Sequence, residues 1–178
     1  FFFGGRTVLV EGDTEYSAFR EIVESDRKQY RDVHIVRARG KYIIPILAKI
    51  MNHFGGSYAV LHDTDRPKTA KGKKNAAWKA NEAIQNVCAS APDPGKIRMA
   101  ASVVDFEHAV FGETATSEKP FNTVKRIRES AGARKTVSEI LDYLLFGIEK
   151  PPIEWIVEWS DVGDLEKALE RFDEAFPV

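Results

Sequence analysis

Four short apolar runs rich in β-branched residues recur through the first 110 or so residues, and a helix-like stretch separates each from the next. Thr7-Val8-Leu9-Val10 is the first; it ends at Glu11-Gly12 and reads as a buried strand. Asp13 or Thr14 can cap a helix that begins at Glu15, along which Tyr16, Phe19, Ile22 and Val23 recur at helical spacing. Val33 to Val36 reads as a second strand, Gly40 punctuates the turn, and Ile43 to Phe54 reads as a second helix with Pro45 in its first turn. Ser57 to Leu61 reads as a third strand running into His62-Asp63-Thr64-Asp65. Ala76 to Ala89 reads as a helix and Ile97 to Val104 as a fourth strand. Strands joined through helices need crossover connections, which predict an α/β fold: a parallel sheet with helices on both faces.

The character changes after about Gly112. Thr114 to Pro120 reads as a loop. Phe121 to Ser130, Thr136 to Phe146, Ile153 to Trp159 and Leu165 to Phe172 read as helices, separated by Gly132, Gly147, Pro151-Pro152 and Gly163. The expected division is one domain over residues 1–112 and a C-terminal helical subdomain over 113–178. Trp155 and Trp159, four apart, are expected to pack one of these helices onto its neighbours.

Hydrophobic residues at 43% and charged residues at 30% fit a globular chain with a real core. The net charge of -1 excludes a chain basic throughout, so phosphate would be held by a local patch or by bridging cations. The lone Cys88 excludes an internal disulfide, no Cys/His spacing points to zinc, and a reducing cytoplasm is the expected compartment. The apolar runs are far short of a membrane span. Phe1-Phe2-Phe3 is too short for a signal peptide and there is no initiator Met. The chain is therefore expected to be a piece of a longer protein, with Phe1 to Gly5 ending a linker or a preceding domain.

In an open parallel sheet, functional groups collect beyond the carboxyl ends of the strands. Glu11 follows the first strand, and Asp63 and Asp65 follow the third. If those strands are neighbours, three or four carboxylates converge, and clustered carboxylates repel unless a cation sits among them. Hard oxygen ligands suit Mg²⁺ or Mn²⁺, and a pair of such ions can activate water for phosphodiester cleavage. Taken alone, Asp63 and Asp65 also read as turn residues before Pro67, and Glu15 as an ordinary helix N-terminal acid. Glu11, closing an apolar strand and followed by Gly12, has no obvious folding purpose. Arg66 to Lys74 adds five positive charges directly after the Asp-x-Asp; there Lys71, Lys73 and Lys74 are the candidate nucleic-acid contacts, the alternative being a solvated loop.

Val8-Leu9-Val10-Glu11-Gly12 and Leu61-His62-Asp63-Thr64-Asp65 resemble the signature of the Toprim domain, shared by topoisomerases, bacterial primases and OLD (overcoming lysogenization defect) family nucleases. Val10 to Glu15, Arg39-Gly40-Lys41 and Val104-Asp105-Phe106-Glu107 look most like the OLD nucleases, over about residues 6–112. The resemblance implies a Rossmann-like Toprim sheet and a two-metal DNA endonuclease or nickase. Glu11 would be the central metal ligand, Asp63 and Asp65 would hold one ion, and Glu15, with Glu107, the second. Mg²⁺ or Mn²⁺ would support turnover, and Ca²⁺ would bind without it. It also implies a lysine from the helical extension that neutralises transition-state charge, with Lys150 favoured over Lys119. An ABC-type ATPase domain would precede Toprim in the full-length protein, and homodimerisation would run through it; this chain has no Gly-x-x-x-x-Gly-Lys loop. His62 and His108 each touch an acidic motif and are expected to support the ligands rather than react.

Three other readings compete. A non-catalytic Toprim module would bind DNA or protein without cutting. A topoisomerase or primase fragment is the second; topoisomerases also need a tyrosine nucleophile in another domain, and none of the five tyrosines here has a supporting motif. A phosphatase built on Asp-x-Asp would carry that motif after the first strand, not the third.

Overall fold

The computed structural model describes residues 4–69, 71–113 and 117–177. Phe1 to Phe3 of the expected linker, and the first three residues of the 114–120 loop, lie outside them. Strands β1 (Arg6–Val10), β2 (Val33–Arg37), β3 (Tyr58–Asp63) and β4 (Ile97–Ser102) run parallel, and β5 (Ile156–Glu158) closes the sheet antiparallel to β4. The order is β2-β1-β3-β4-β5. Helix α1 (Asp13–Ser25) carries the chain from β1 outward to β2. Helix α2 (Ile44–His53), after a short 3-10 turn at Lys41–Ile43, then carries it back over β1 to β3. The winding reverses between β1 and β3, which is where such sheets open a crevice beyond their carboxyl ends.

Alternation along the strands splits the core in two. Val8, Val10, Ala59, Leu61 and Ala100 face one side, under Phe19 and Ile22 of α1. Leu9, Val60, Ala101 and Val103 face the other, under α2 and α3 (Ala76–Ala89). Each fully buried Leu, Ile or Phe contributes roughly 1.5–3 kcal/mol, so both faces are strongly held. Helix α3 begins where the sequence pattern places it because Asn75 caps it, its side chain accepting from Ala77 N at 3.0 Å.

The remaining helices are α4 (Phe106–Phe111), α5 (Lys119–Glu129), α6 (Ala131–Leu145) and α7 (Val162–Ala175). They pack on the same sheet: Ile127 and Leu141 join the first core, and Leu165, Leu169 and Phe172 the second. One expectation fails here. The stretch 153–159 is not a helix; its centre is β5, with Ile156 opposite Ser102 and Glu158 opposite Ala100. Pro151-Pro152 blocks a helical approach, and the β-branched pair Ile156-Val157 completes the otherwise open edge of β4. Trp155 and Trp159 therefore flank the two ends of a strand, with Trp155 edge-to-face with Phe172 (5.0 Å between ring centres) and Trp159 edge-to-face with His62 (5.3 Å).

Candidate metal centre

Four backbone segments meet at the carboxyl rim. Glu11 N donates to Leu61 O and Gly40 N to Glu11 O, so the ends of β1, β2 and β3 are tied together. Thr64 is the pin for the Asp-x-Asp segment. Its N–H donates to Ser102 O, its Oγ1 accepts from Val104 N, and its carbonyl accepts from both Lys41 Nζ (3.1 Å) and Asn81 Nδ2 (3.1 Å). Arg39, Asp65 and Val104, one beyond each of three strands, take left-handed conformations with φ of 61, 59 and 67°. Non-glycine residues held there cost of order 1–3 kcal/mol each, and such strain concentrates at working sites.

Glu11 and Asp63 are brought together: Glu11 Oε2 accepts from Asp63 N at 3.2 Å. Glu15, one turn into α1, is buried. A Cβ at position 12 would stand 3.1 Å from Glu15 Oε2, so glycine there leaves the carboxylate its room. Glu107, at the start of α4, is buried and accepts from Thr14 Oγ1 at 3.0 Å. Burial drives Glu15 up to about 7, helped by the charges of Glu11 and Glu107. Burial also pushes Asp63 well above the usual carboxylate range, with Glu15, Glu11, Asp105 and Glu107 adding to the effect. Glu11 is raised by burial and partly restrained by the Lys41 ammonium. Asp63 Oδ1 is buried and finds no donor among the described residues.

Two lysines temper this negative field. Lys41 Nζ lies 2.7 Å from Asp65 Oδ2, and Lys119 Nζ 3.3 Å from Glu107 Oε2. Among the described residues no three acidic or histidine side chains converge into a ready-made ion cage. Oxygen donors, an orphaned buried carboxylate oxygen and carboxyls that resist ionisation nevertheless fit a hard divalent cation. Burial of this many acids without enough compensation is what such an ion, or protons, would relieve.

The other expected residues fall as follows. Lys150 is exposed in the connection from α6 to β5, and no hydrogen bond or ion pair links it to the cluster among the described residues. Lys119, in the first turn of α5, is the one of the two candidate lysines that lies against a carboxylate of the cluster, Glu107. Lys71, Lys73 and Lys74 are exposed around a tight turn where Thr69 N donates to Lys73 O and Gly72 N to Thr69 O. Arg66, which opens that basic run, is paired with Asp173 of α7 through two bonds of 2.7 and 2.6 Å. His62 is buried, its Nδ1 is 2.7 Å from Asp63 O, and burial and the Lys41 charge press it down to about 3, so it stays neutral. His108 points into an aromatic cluster with Phe172 and Phe176. Arg37 and Arg39 join Glu11, Gly12 and Lys119 around an open cavity of about 750 Å³. Lys41 and Arg37 are site residues that do not stand out in the sequence. Only Arg39-Gly40-Lys41, following a strand, could have signalled the first.

A crevice between the first and third strands of a parallel sheet, rimmed by a Glu-Gly and an Asp-x-Asp, defines a Toprim-type domain. The family model for the overcoming lysogenization defect protein-like TOPRIM domain matches residues 2–65, and over that span it supports a Toprim domain of the OLD type. The matched span holds Glu11, Glu15, Lys41, Asp63 and Asp65. No curated protein and no solved structure shows significant similarity to the chain. The Toprim match points to a metal-binding, nucleic-acid-related function. No helix among the described residues is long and apolar enough to cross a membrane.

Proposed function

We propose that this domain is a divalent-ion-dependent endonuclease or nickase that hydrolyses DNA phosphodiester bonds, with Mg²⁺ or Mn²⁺ as the working ions. The observation that carries the reading is the acidic set at the switch between β1 and β3, with Glu15 buried, Glu11 and Asp63 half-buried, and the buried Asp63 Oδ1 lacking a donor among the described residues. Glu11 and Asp63 would hold ions together with Glu15 and Glu107 on one side and Asp65 on the other. Bound there, a pair of divalent ions supplies an activated water and charge stabilisation at the leaving oxygen. The chain's own groups do the rest. Arg37 and Arg39 line the approach to Glu11 and offer guanidinium contacts to a phosphate backbone. Lys119, half-exposed, can turn from Glu107 to a bound phosphate. Lys71, Lys73 and Lys74 extend the positive surface beyond Asp65. An ABC-type ATPase domain and a homodimer built through it belong to this proposal as the larger setting, and the cytoplasm as its compartment.

A non-catalytic module is the second reading, favoured by the two lysine–carboxylate pairs that already spend Asp65 and Glu107. Plasmid nicking separates the two. The wild-type chain is incubated with supercoiled DNA and Mg²⁺, Mn²⁺, Ca²⁺ or chelator, beside Asp63→Ala. Nicking with Mg²⁺ or Mn²⁺ only, reduced at least a hundredfold in Asp63→Ala, is expected. Equal nicking by wild type and variant, or none under any condition, would refute cleavage by this site.

A further inference from the structure

The two edges of the sheet are finished differently. On one side the three residues of β5 cover β4. On the other, β2 is five residues long and no strand lies beyond it among the described residues. Asp32 O accepts from Arg6 N and Ala38 N donates to Val10 O, so the even-numbered residues of this stretch turn their main chain to β1. Alternation turns the N–H and C=O of Ile35 and Arg37 outward, where they meet no partner among the described residues. All of β2 is half-buried, whereas β1 beside it is buried from Thr7 to Val10. An unpaired edge of this kind is a template for a further strand, and β2 carries neither a proline nor a bulge to prevent it.

A groove of about 550 Å³ runs along this edge, between β2 and α1. Its floor is apolar: Tyr16 and Val23, seven apart and so on one face of α1, pack with Val33 and Ile35 against the first core. Its rim is cationic, with Arg20, Arg37 and Arg39 set against one acid, Glu24. Arg20 and Arg37 are held by the exposed acids Glu24 and Asp13, in surface pairs weak enough to exchange. Arg39 has no ion pair among the described residues. A second copy of the chain would bring these arginines against their own kind. A nucleic-acid strand offers phosphate acceptors only, which the outward carbonyls of Ile35 and Arg37 would oppose. We propose that the open edge of β2 takes up an extended acidic peptide as a sixth strand of the sheet. The peptide main chain pairs with Ile35 and Arg37, alternate apolar side chains enter the groove against α1, and carboxylates meet the three arginines.

The test uses the full chain and a fluorescein-labelled peptide that alternates valine and threonine and carries an aspartate pair at each end. Binding is read by fluorescence anisotropy, and amide exchange by NMR. The peptide is expected to bind and to slow exchange at the Ile35 and Arg37 amides at least tenfold. A fully N-methylated peptide, which can donate nothing to the ladder, and one ending in lysine pairs should each bind at least tenfold more weakly. Ile35→Pro removes an outward N–H that β1 does not use, and should weaken binding at least tenfold. Arg20→Glu should weaken it at least fivefold, and it decides the question if Ile35→Pro does not fold. No binding at millimolar peptide, equal binding of the N-methylated peptide, or unchanged exchange at Ile35 and Arg37 would overturn the inference. So would oligothymidylate that displaces the peptide and depends equally on Arg20, which would give the groove to a nucleic-acid strand. A dimer in sedimentation that Ile35→Pro dissolves would give it to a second copy and overturn the inference as well.

Discussion

Raising the pH of the chain in chelator, from about 5 to about 8, forces its buried acids to ionise in the crevice. Glu15 is the group to follow, since burial and its acidic neighbours move it from 4.5 to about 7. Between those values the folded chain holds a proton that the unfolded chain has released. Stability therefore falls as pH rises through the window, and the loss is complete above about 7. A carboxyl displaced that far represents roughly 3 kcal/mol. Asp63, displaced in the same direction, adds to the loss. Urea unfolding at a series of pH values measures it directly. Saturating Mn²⁺ should reverse the trend, because the ion binds the ionised carboxylates and none of this arrangement survives in the unfolded chain. Glu15→Gln should flatten the slope in chelator and forfeit part of the Mn²⁺ stabilisation. A stability that stays level or climbs from pH 5 to 8 without ions would refute the reasoning, since the acids would then be fully compensated by protein groups alone.

Two further outcomes bear on the cationic groups. Lys119→Ala should lower nicking at least tenfold with little change in fold stability, because the lysine is half-exposed and its partner Glu107 keeps the bond from Thr14; a larger loss in Lys150→Ala would hand the role to that residue instead. Neutralising Lys71, Lys73 and Lys74 together should weaken DNA binding and reduce the slope of log affinity against log salt by roughly 3, one for each phosphate contact removed; an unchanged slope would show the loop to be merely solvated.

The sheet is readable in the sequence because its central strands are buried on both faces and so appear as continuous apolar runs between helical patterns. Val8 to Val10 and Tyr58 to Leu61 are of this kind. The short β5 was not, since three residues carry no periodicity and their strand character comes from the open edge of β4. The acids were legible for a related reason. Glu11, Asp63 and Asp65 stand where apolar strands stop, and such a position has a chemical meaning independent of tertiary detail. The lysines were harder. Lys41 beside Gly40 looks like any surface lysine until the loop after β2 is laid against the one after β3, and the choice between Lys119 and Lys150 depends on how α5 packs on α1. Charge compensation is a property of the assembled rim, and sequence spacing records only one side of it.

The packing of α5, α6 and α7 onto the same sheet that carries the acids has a mechanical consequence. Leu141 seals the underside of β1 and β3, and Phe172 braces the opposite layer through Trp155. The crevice is thus a keystone held by masonry from the far end of the chain. Clipping the polypeptide after Gly112 would not yield a smaller intact domain but a sheet stripped of its cladding, prone to stick to its own kind.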